Sequence, residues 1–161
     1  IQNEKVEDKK RLLYLNKQNN KDLIEISEER EKYFDKLCKH IKLVEGIIII
    51  VDYGYLEQPK KFTLQSTFKH KRSNILENIG NQDITSLIDF KKLIKIAKEN
   101  KLKIVSFNNQ RDFLIENGIK ERKNKILMNC NNVQKKIIEN GYSRIISDEM
   151  GLAFKVLVIS S

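Results

Sequence analysis

Cysteine is scarce in this chain. Cys38 and Cys130 are the two present in 161 residues, which excludes a disulfide framework and fits a reducing compartment or no selection either way. Histidine is as rare. His40 lies two residues from Cys38 in a helix-patterned stretch, and positions two apart do not share a helix face. His70 has no histidine or cysteine beside it. A zinc or copper site therefore has no support, and no serine–histidine–acid order carries a hydrolase signature. The longest apolar run, Ile47–Val51, is far short of the roughly 20 residues that span a bilayer. The six glycines, Gly46, Gly54, Gly80, Gly118, Gly141 and Gly151, are too far apart to make a GxG turn. A nucleotide-like cofactor needs bare backbone at the first strand-to-helix turn, and no such turn is encoded here. Ile1 is not a start methionine, so targeting is not readable.

What is present has a globular balance: 40% hydrophobic and 33% charged residues, in a length that suits one domain. Net charge is +9. The lysines are spread along the chain, with isoleucine and asparagine also abundant, as an AT-rich genome writes. Nucleic-acid binding calls for a clustered basic patch, so it is the weaker reading of this charge.

The patterning predicts an α/β fold. Arg11–Asn16 and Asp22–Ser27 read as strands around the polar turn Lys17–Lys21, a hairpin over residues 1–27. Ser27 is a candidate cap for a helix with Glu28 and Glu29 in its first turn. Phe34, Leu37, Ile41 and Val44 recur on one face of it, and Gly46 can take a left-handed end. Five β-branched residues, Ile47–Val51, then fit a strand covered on both faces. Residues 28–52 thus form a helix and a core strand. Residues 53–82 hold the one proline, Pro59, and two basic runs, Lys60–Lys61 and Lys69–Arg72; they read as a long inserted loop. Within 83–161, Thr85 or Ser86 caps a helix through Leu87, Phe90, Leu93, Ile94 and Ala97. A strand covers Leu102–Phe107. Short helices follow over Asn109–Asn117, Lys120–Met128 and Val133–Asn140, the first stopped by Gly118 and the last by Gly141, and a strand covers Leu152–Ile159.

Three spots invite chemistry. Asp52-Tyr53-Gly54 follows the buried strand, and in open α/β sheets ligands bind beyond the carboxyl ends of strands. Its plain alternative is a turn that ends the strand. Asp83-Ile84-Thr85, with Asp89 further on, places carboxylates at a helix start, where capping is the simpler explanation. Asn108-Asn109-Gln110 opens a helix after a strand, and Asn109 can cap it.

The stretch GIIIIVDYGY over Gly46–Tyr55 resembles a S-adenosylmethionine (SAM)-dependent methyltransferase family that includes bacterial MidA-like proteins and a mitochondrial arginine methyltransferase needed for respiratory complex I assembly. The likeness continues in order. Glu25-Ile26-Ser27 is similar to its acidic motif, Thr63-Leu64-Gln65 to its TLQ, and His70 to a following histidine. Gly80, Asp83-Ile84-Thr85 and Asp89-Phe90 match its G, DLT and DF positions. Gln110 with Phe113-Leu114 and Gly118-Ile119 follows, and Met150-Gly151 with Phe154-Lys155-Val156-Leu157 closes the set. Departures are Ile79 for a common proline, Asn109 for the usual threonine, and Arg111 for a small residue.

The resemblance implies the C-terminal portion of a class I, Rossmann-like methyltransferase sheet, with flanking helices and a long inserted loop, as a single domain over 1–161. Ile47–Val51 would be the fifth strand, Leu102–Phe107 the sixth and Leu152–Ile159 the antiparallel seventh. It implies SAM as the family's cofactor, with the glycine-rich loop outside this sequence, so that the chain alone binds none and is inactive. It implies a protein acceptor, with a complex I subunit as the candidate, whose cationic arginine Asp52, Asp83 and Asp89 would hold. Tyr53, Gly54, Tyr55, Thr63, Gln65, His70, Thr85 and Gln110 would shape the substrate side. A bacterial cytoplasm or a mitochondrial matrix is the implied compartment. Two rival readings stand beside it: a non-catalytic assembly or interaction module using the 53–82 loop as contact surface, and a basic nucleic-acid binder. Oligomeric state is not legible.

Overall fold

The computed structural model describes residues 24–161. The expected strand Arg11–Asn16 and its turn lie outside the described residues, and 24–27 form no strand. Helix α1, Glu28–Val44, opens with Glu28, Glu29 and Glu31 in its first turn, where the helix dipole favours anions. The Ser27 hydroxyl makes no cap; its carbonyl accepts the Glu31 amide at 3.1 Å instead. Phe34, Cys38 and Ile41 are the buried stripe, whereas Val44 is exposed. At the helix end Glu45, not Gly46, takes the positive φ.

Strand β1, Ile47–Tyr55, follows. It pairs antiparallel with the last strand, β7 (Phe154–Ser160), which in turn pairs antiparallel with β6 (Lys103–Asn109). The short β5, Ile88–Asp89, joins the far end of β1 in parallel at Gly54 and Tyr55. The sheet order is β5-β1-β7-β6, and the last strand is antiparallel to both its neighbours, in keeping with the antiparallel seventh strand that the resemblance implied. Helix α2, Phe90–Glu99, lies against the same face as α1. Phe90, Leu93, Ala97 and Leu102 join Phe34, Cys38 and Ile41 over Leu157 and Ile159.

One expectation for β1 is corrected. Ile48 and Ile50 stand opposite Ile159 and Leu157 and reach this core. Ile47, Ile49 and Val51 point the other way and are 65%, 58% and 48% exposed. Side chains alternate across a strand, and the described residues cover only one of its faces. The outer edge of β1 pairs among the described residues only at Gly54 and Tyr55.

The 53–82 stretch is not one loop. Gln65–Phe68 (β2) and Lys71–Ser73 (β3) form a hairpin, and Asp83–Thr85 (β4) pairs with β2 on its other side. Lys69 and His70 both adopt positive φ, 49° and 63°, as a two-residue hairpin turn of the primed type demands. Polar bonds knit this small sheet. Buried Ser66 donates through Oγ to the Ser73 carbonyl at 2.7 Å, the Ser73 hydroxyl donates to Gln82 Oε1 at 2.8 Å, and Gln82 Nε2 donates to the Ile75 carbonyl at 2.6 Å.

After β6, Asn109 caps α3 (Gln110–Glu116) by accepting the Asp112 amide at 3.0 Å. Gly118, at φ 81°, turns the chain into α4 (Ile119–Leu127). Helix α5, Asn132–Ile145, starts on an Asn131–Gln134 capping box and runs straight through Gly141, where a stop was expected. Glycine in mid-helix costs propensity without forbidding the helix. Helix α6, Asp148–Gly151, leads into β7.

Candidate active site

The first helix expected after residue 83 begins later than its sequence pattern. Asp89, not Thr85 or Ser86, is the N-cap of α2, and its Oδ1 accepts the Lys92 amide at 3.2 Å. That choice leaves Ser86-Leu87 free to cross the end of β1, and a cavity of about 390 Å³ forms there. Its walls come from the segment ahead of α1 (Ile24–Ser27), the first turns of α1 (Arg30, Glu31), the end of β1 (Tyr55), the residues before β2 (Phe62, Leu64), and the β5–α2 junction (Ser86, Leu87, Asp89, Lys92, Leu93).

Glu25 ties these walls together. Its carboxylate accepts the Thr63 amide at 2.8 Å, the Thr63 hydroxyl at 2.6 Å and the Leu64 amide at 3.2 Å. The Thr63 oxygen in turn accepts the Leu87 amide at 3.1 Å. Arg30 closes the other side, donating to the Leu87 carbonyl at 3.2 Å and the Ser86 hydroxyl at 2.8 Å. Lys92 pairs with Glu31 at 2.8 Å across α1 and α2. The cavity thus gathers three carboxylates, Glu25, Glu31 and Asp89, against two cations, Arg30 and Lys92, among apolar side chains and the hydroxyls of Ser27, Tyr55 and Ser86. Tyr55 feels that balance. Burial pushes its phenol up, the charges of Asp89 and Glu25 push it further, and Lys92 and Arg30 oppose them. A half-buried site with surplus negative charge and a protonated phenol suits a cationic, hydrogen-bond-donating side chain.

The residues singled out from sequence are dispersed. Tyr55 and Asp89 line the cavity, and Thr63 holds its Glu25 wall. Gly54 lies against Phe90 and the Ile88 carbonyl. Asp52, Asp83 and Gln110 are not among the residues that line it. Asp52 is exposed and accepts the neighbouring Tyr53 amide at 2.7 Å. Tyr53 stacks on Phe154 with ring centroids 3.8 Å apart. Gln65, Asp83 and Thr85 are exposed on the small sheet, Gln65 opposite Thr85. His70 is exposed at the hairpin tip. Gln110 is buried, and its amide donates to the Ile145 carbonyl at 2.9 Å, fastening α3 to the end of α5. Arg30, Glu31, Phe62 and Lys92 were not singled out. Arg30 and Glu31 carry only the signature of a solvated first helical turn, and nothing local marks them as cavity walls. Glu25 did carry a signal, an acid between two isoleucines.

Among the described residues no glycine-rich turn borders the cavity. The one glycine at a strand end near the cavity is Gly54, and a Cβ there would lie 2.5 Å from Phe90 Cε2. Its bareness is used by the core and not by a ligand.

The fold is thus a mixed α/β sheet with helices packed on it, and the cavity opens at the end of β1. Residues 2–108 match the model of a family described as "putative S-adenosyl-L-methionine-dependent methyltransferase", and the chain belongs to that family. It is similar to the mitochondrial protein arginine methyltransferase NDUFAF7 homolog of Caenorhabditis elegans, 32% identical over 133 residues, 81% of this chain and 30% of that protein. It is also similar to mitochondrial NDUFAF7 of Xenopus tropicalis, 29% identical over 84% of this chain and 31% of that protein. The chain therefore spans about a third of the length of these relatives. Two crystal structures from Burkholderia thailandensis share its fold. One has a TM-score of 0.80 at 20% identity, covering 94% of this chain and 43% of that one. The other was solved bound to S-adenosyl-homocysteine and has a TM-score of 0.78 at 19% identity, covering 92% of this chain and 41% of that one.

Proposed function

We propose that this chain supplies the acceptor side of a SAM-dependent protein arginine methyltransferase. The observation that carries the reading is the cavity at the Tyr55–Asp89 end of β1, with Glu25, Glu31 and Asp89 outnumbering the cations beside them. Carboxylates hold a planar guanidinium through paired, charge-assisted hydrogen bonds, and the names of the C. elegans and Xenopus relatives supply arginine as the acceptor. Methyl transfer from a sulfonium gains most from alignment of nucleophile and methyl group. In this reading Asp89 and Glu31 orient the guanidinium, Tyr55 closes one side, and buried Leu93 backs the cavity with Phe62 and Leu64 at its open rim. The cofactor, when bound by the rest of the catalytic domain, supplies the methyl group.

The chain alone binds SAM weakly or not at all and is inactive in this reading, because Gly54 is filled by the core and no GxG turn occurs in the sequence. A complex I subunit as acceptor rests on the family resemblance, and a mitochondrial matrix is supported over a bacterial cytoplasm by the two mitochondrial relatives. Calorimetry tests both halves of the reading. Acetyl-arginine amide is expected to bind residues 1–161 and SAM to show no tight binding; tight SAM binding, or no difference between the arginine compound and its glycine counterpart, contradicts it.

A further inference from the structure

We infer that the open edge of β4 takes an extended stretch of the acceptor polypeptide as an added strand and delivers one basic side chain to the cavity. This inference rests on the acceptor reading of that cavity and names how the polypeptide is held.

The small sheet has the order β3-β2-β4, so two of its edges are open among the described residues. An edge strand offers a row of unpaired amides and carbonyls to another chain, and strand addition is a recurrent mode of peptide recognition. All three residues of β4 are exposed, Ile84 by 54%, and no described backbone group bonds its outer side. Charge selects between the two edges. The β3 edge carries Lys71 and Arg72 next to Lys69 and His70 and repels a basic segment, whereas the β4 edge carries Asp83 and attracts one. Continuity selects β4 as well. Thr85 runs directly into Ser86 and Leu87, which are cavity walls. At about 3.3 Å per residue, a strand beside β4 ends within two residues of the cavity mouth. Ile84 supplies an apolar contact to alternate residues of the incoming strand.

The probe is a nine-residue peptide of alternating threonine and valine with arginine at its centre, added to residues 1–161. Amide hydrogen exchange is expected to slow at residues 83–85. Backbone N-methylation of alternate peptide residues in one register is expected to weaken binding about tenfold, and in the other register to leave it unchanged, since only one register faces the edge. Asp83→Lys weakens binding in the same range. Equal effects of the two registers, protection at residues 71–73 instead, or no binding overturns the inference. The two readings fail separately. If acetyl-arginine amide enters the cavity and the peptide leaves 83–85 unprotected, the strand inference falls alone. If a peptide with norleucine in place of arginine protects 83–85 equally well, the strand survives and the cavity reading falls.

Discussion

Tyr55 and Asp89 face each other as the last register pair between β1 and β5, and the same Asp89 caps α2 through the Lys92 amide. One carboxylate thus sets both a helix start and the charge beside a phenol. Asp89→Asn is expected to keep the cap, and Asp89→Ala to cost about 1 kcal/mol of stability. Both should lower the Tyr55 phenol pKa, without restoring its ordinary value, because burial is the larger cause of the shift. Denaturant unfolding and a near-ultraviolet phenolate titration check the two effects. A pKa unmoved in both variants would remove Asp89 from the cavity's electrostatics.

Thr63 is the knot between three segments, donating to Glu25 and accepting from Leu87. Thr63→Val leaves the Leu87 amide without its partner, at a cost of about 1–3 kcal/mol. Thr63→Ser should restore most of that. Faster hydrogen exchange at Leu87 in the valine variant, and near-native exchange in the serine variant, is the expected pattern.

Two glycines predict opposite signs. A Cβ at Gly54 would collide with Phe90 and the Ile88 carbonyl, while at Gly141 it would meet nothing within 4 Å. Gly54→Ala is therefore expected to destabilise by about 1–3 kcal/mol through overpacking. Gly141→Ala should stabilise by up to about 1 kcal/mol through helix propensity. Urea midpoints of the two variants decide the matter.

Cys38 is fully buried, and burial, helped by the charge of Asp35, pushes its thiol from 9.0 up to about 11. The folded state holds this proton more tightly than the unfolded chain does. Its contribution is complete below about pH 9 and is lost as pH rises through 9 toward 11, amounting to as much as about 2–3 kcal/mol. The difference in stability between the wild type and Cys38→Ala should shrink over that window. Cys130 should react with iodoacetamide long before Cys38. A difference flat across the window contradicts the burial argument.

The large sheet was legible because apolar periodicity wrote it. Ile47–Val51 and Leu152–Ile159 have strand composition, and the Phe90–Leu93–Ala97 spacing marks a helix whichever residue caps it. The small sheet was not legible, since Ser66, Ser73 and Gln82 hold it with polar bonds that leave no period-2 signal. The uncovered face of β1 was missed for a different reason. A run of β-branched residues looks the same whether one face or two are covered, and Ile47, Ile49 and Val51 are open. At the site, Tyr55 and Asp89 could be named from the motif. Arg30, Glu31 and Lys92 could not, because only the crossing of α1 and α2 turns ordinary helix-surface charges into cavity walls.

The central claim is that the cavity between Tyr55 and Asp89 receives a guanidinium group. Site-resolved nuclear magnetic resonance titration of residues 1–161 with acetyl-arginine amide tests it most directly. The account predicts shifts confined to the amides of Glu25, Arg30, Glu31, Tyr55 and the 86–92 stretch, largely lost in Asp89→Asn. Shifts gathered elsewhere, or persisting undiminished in that variant, would contradict it.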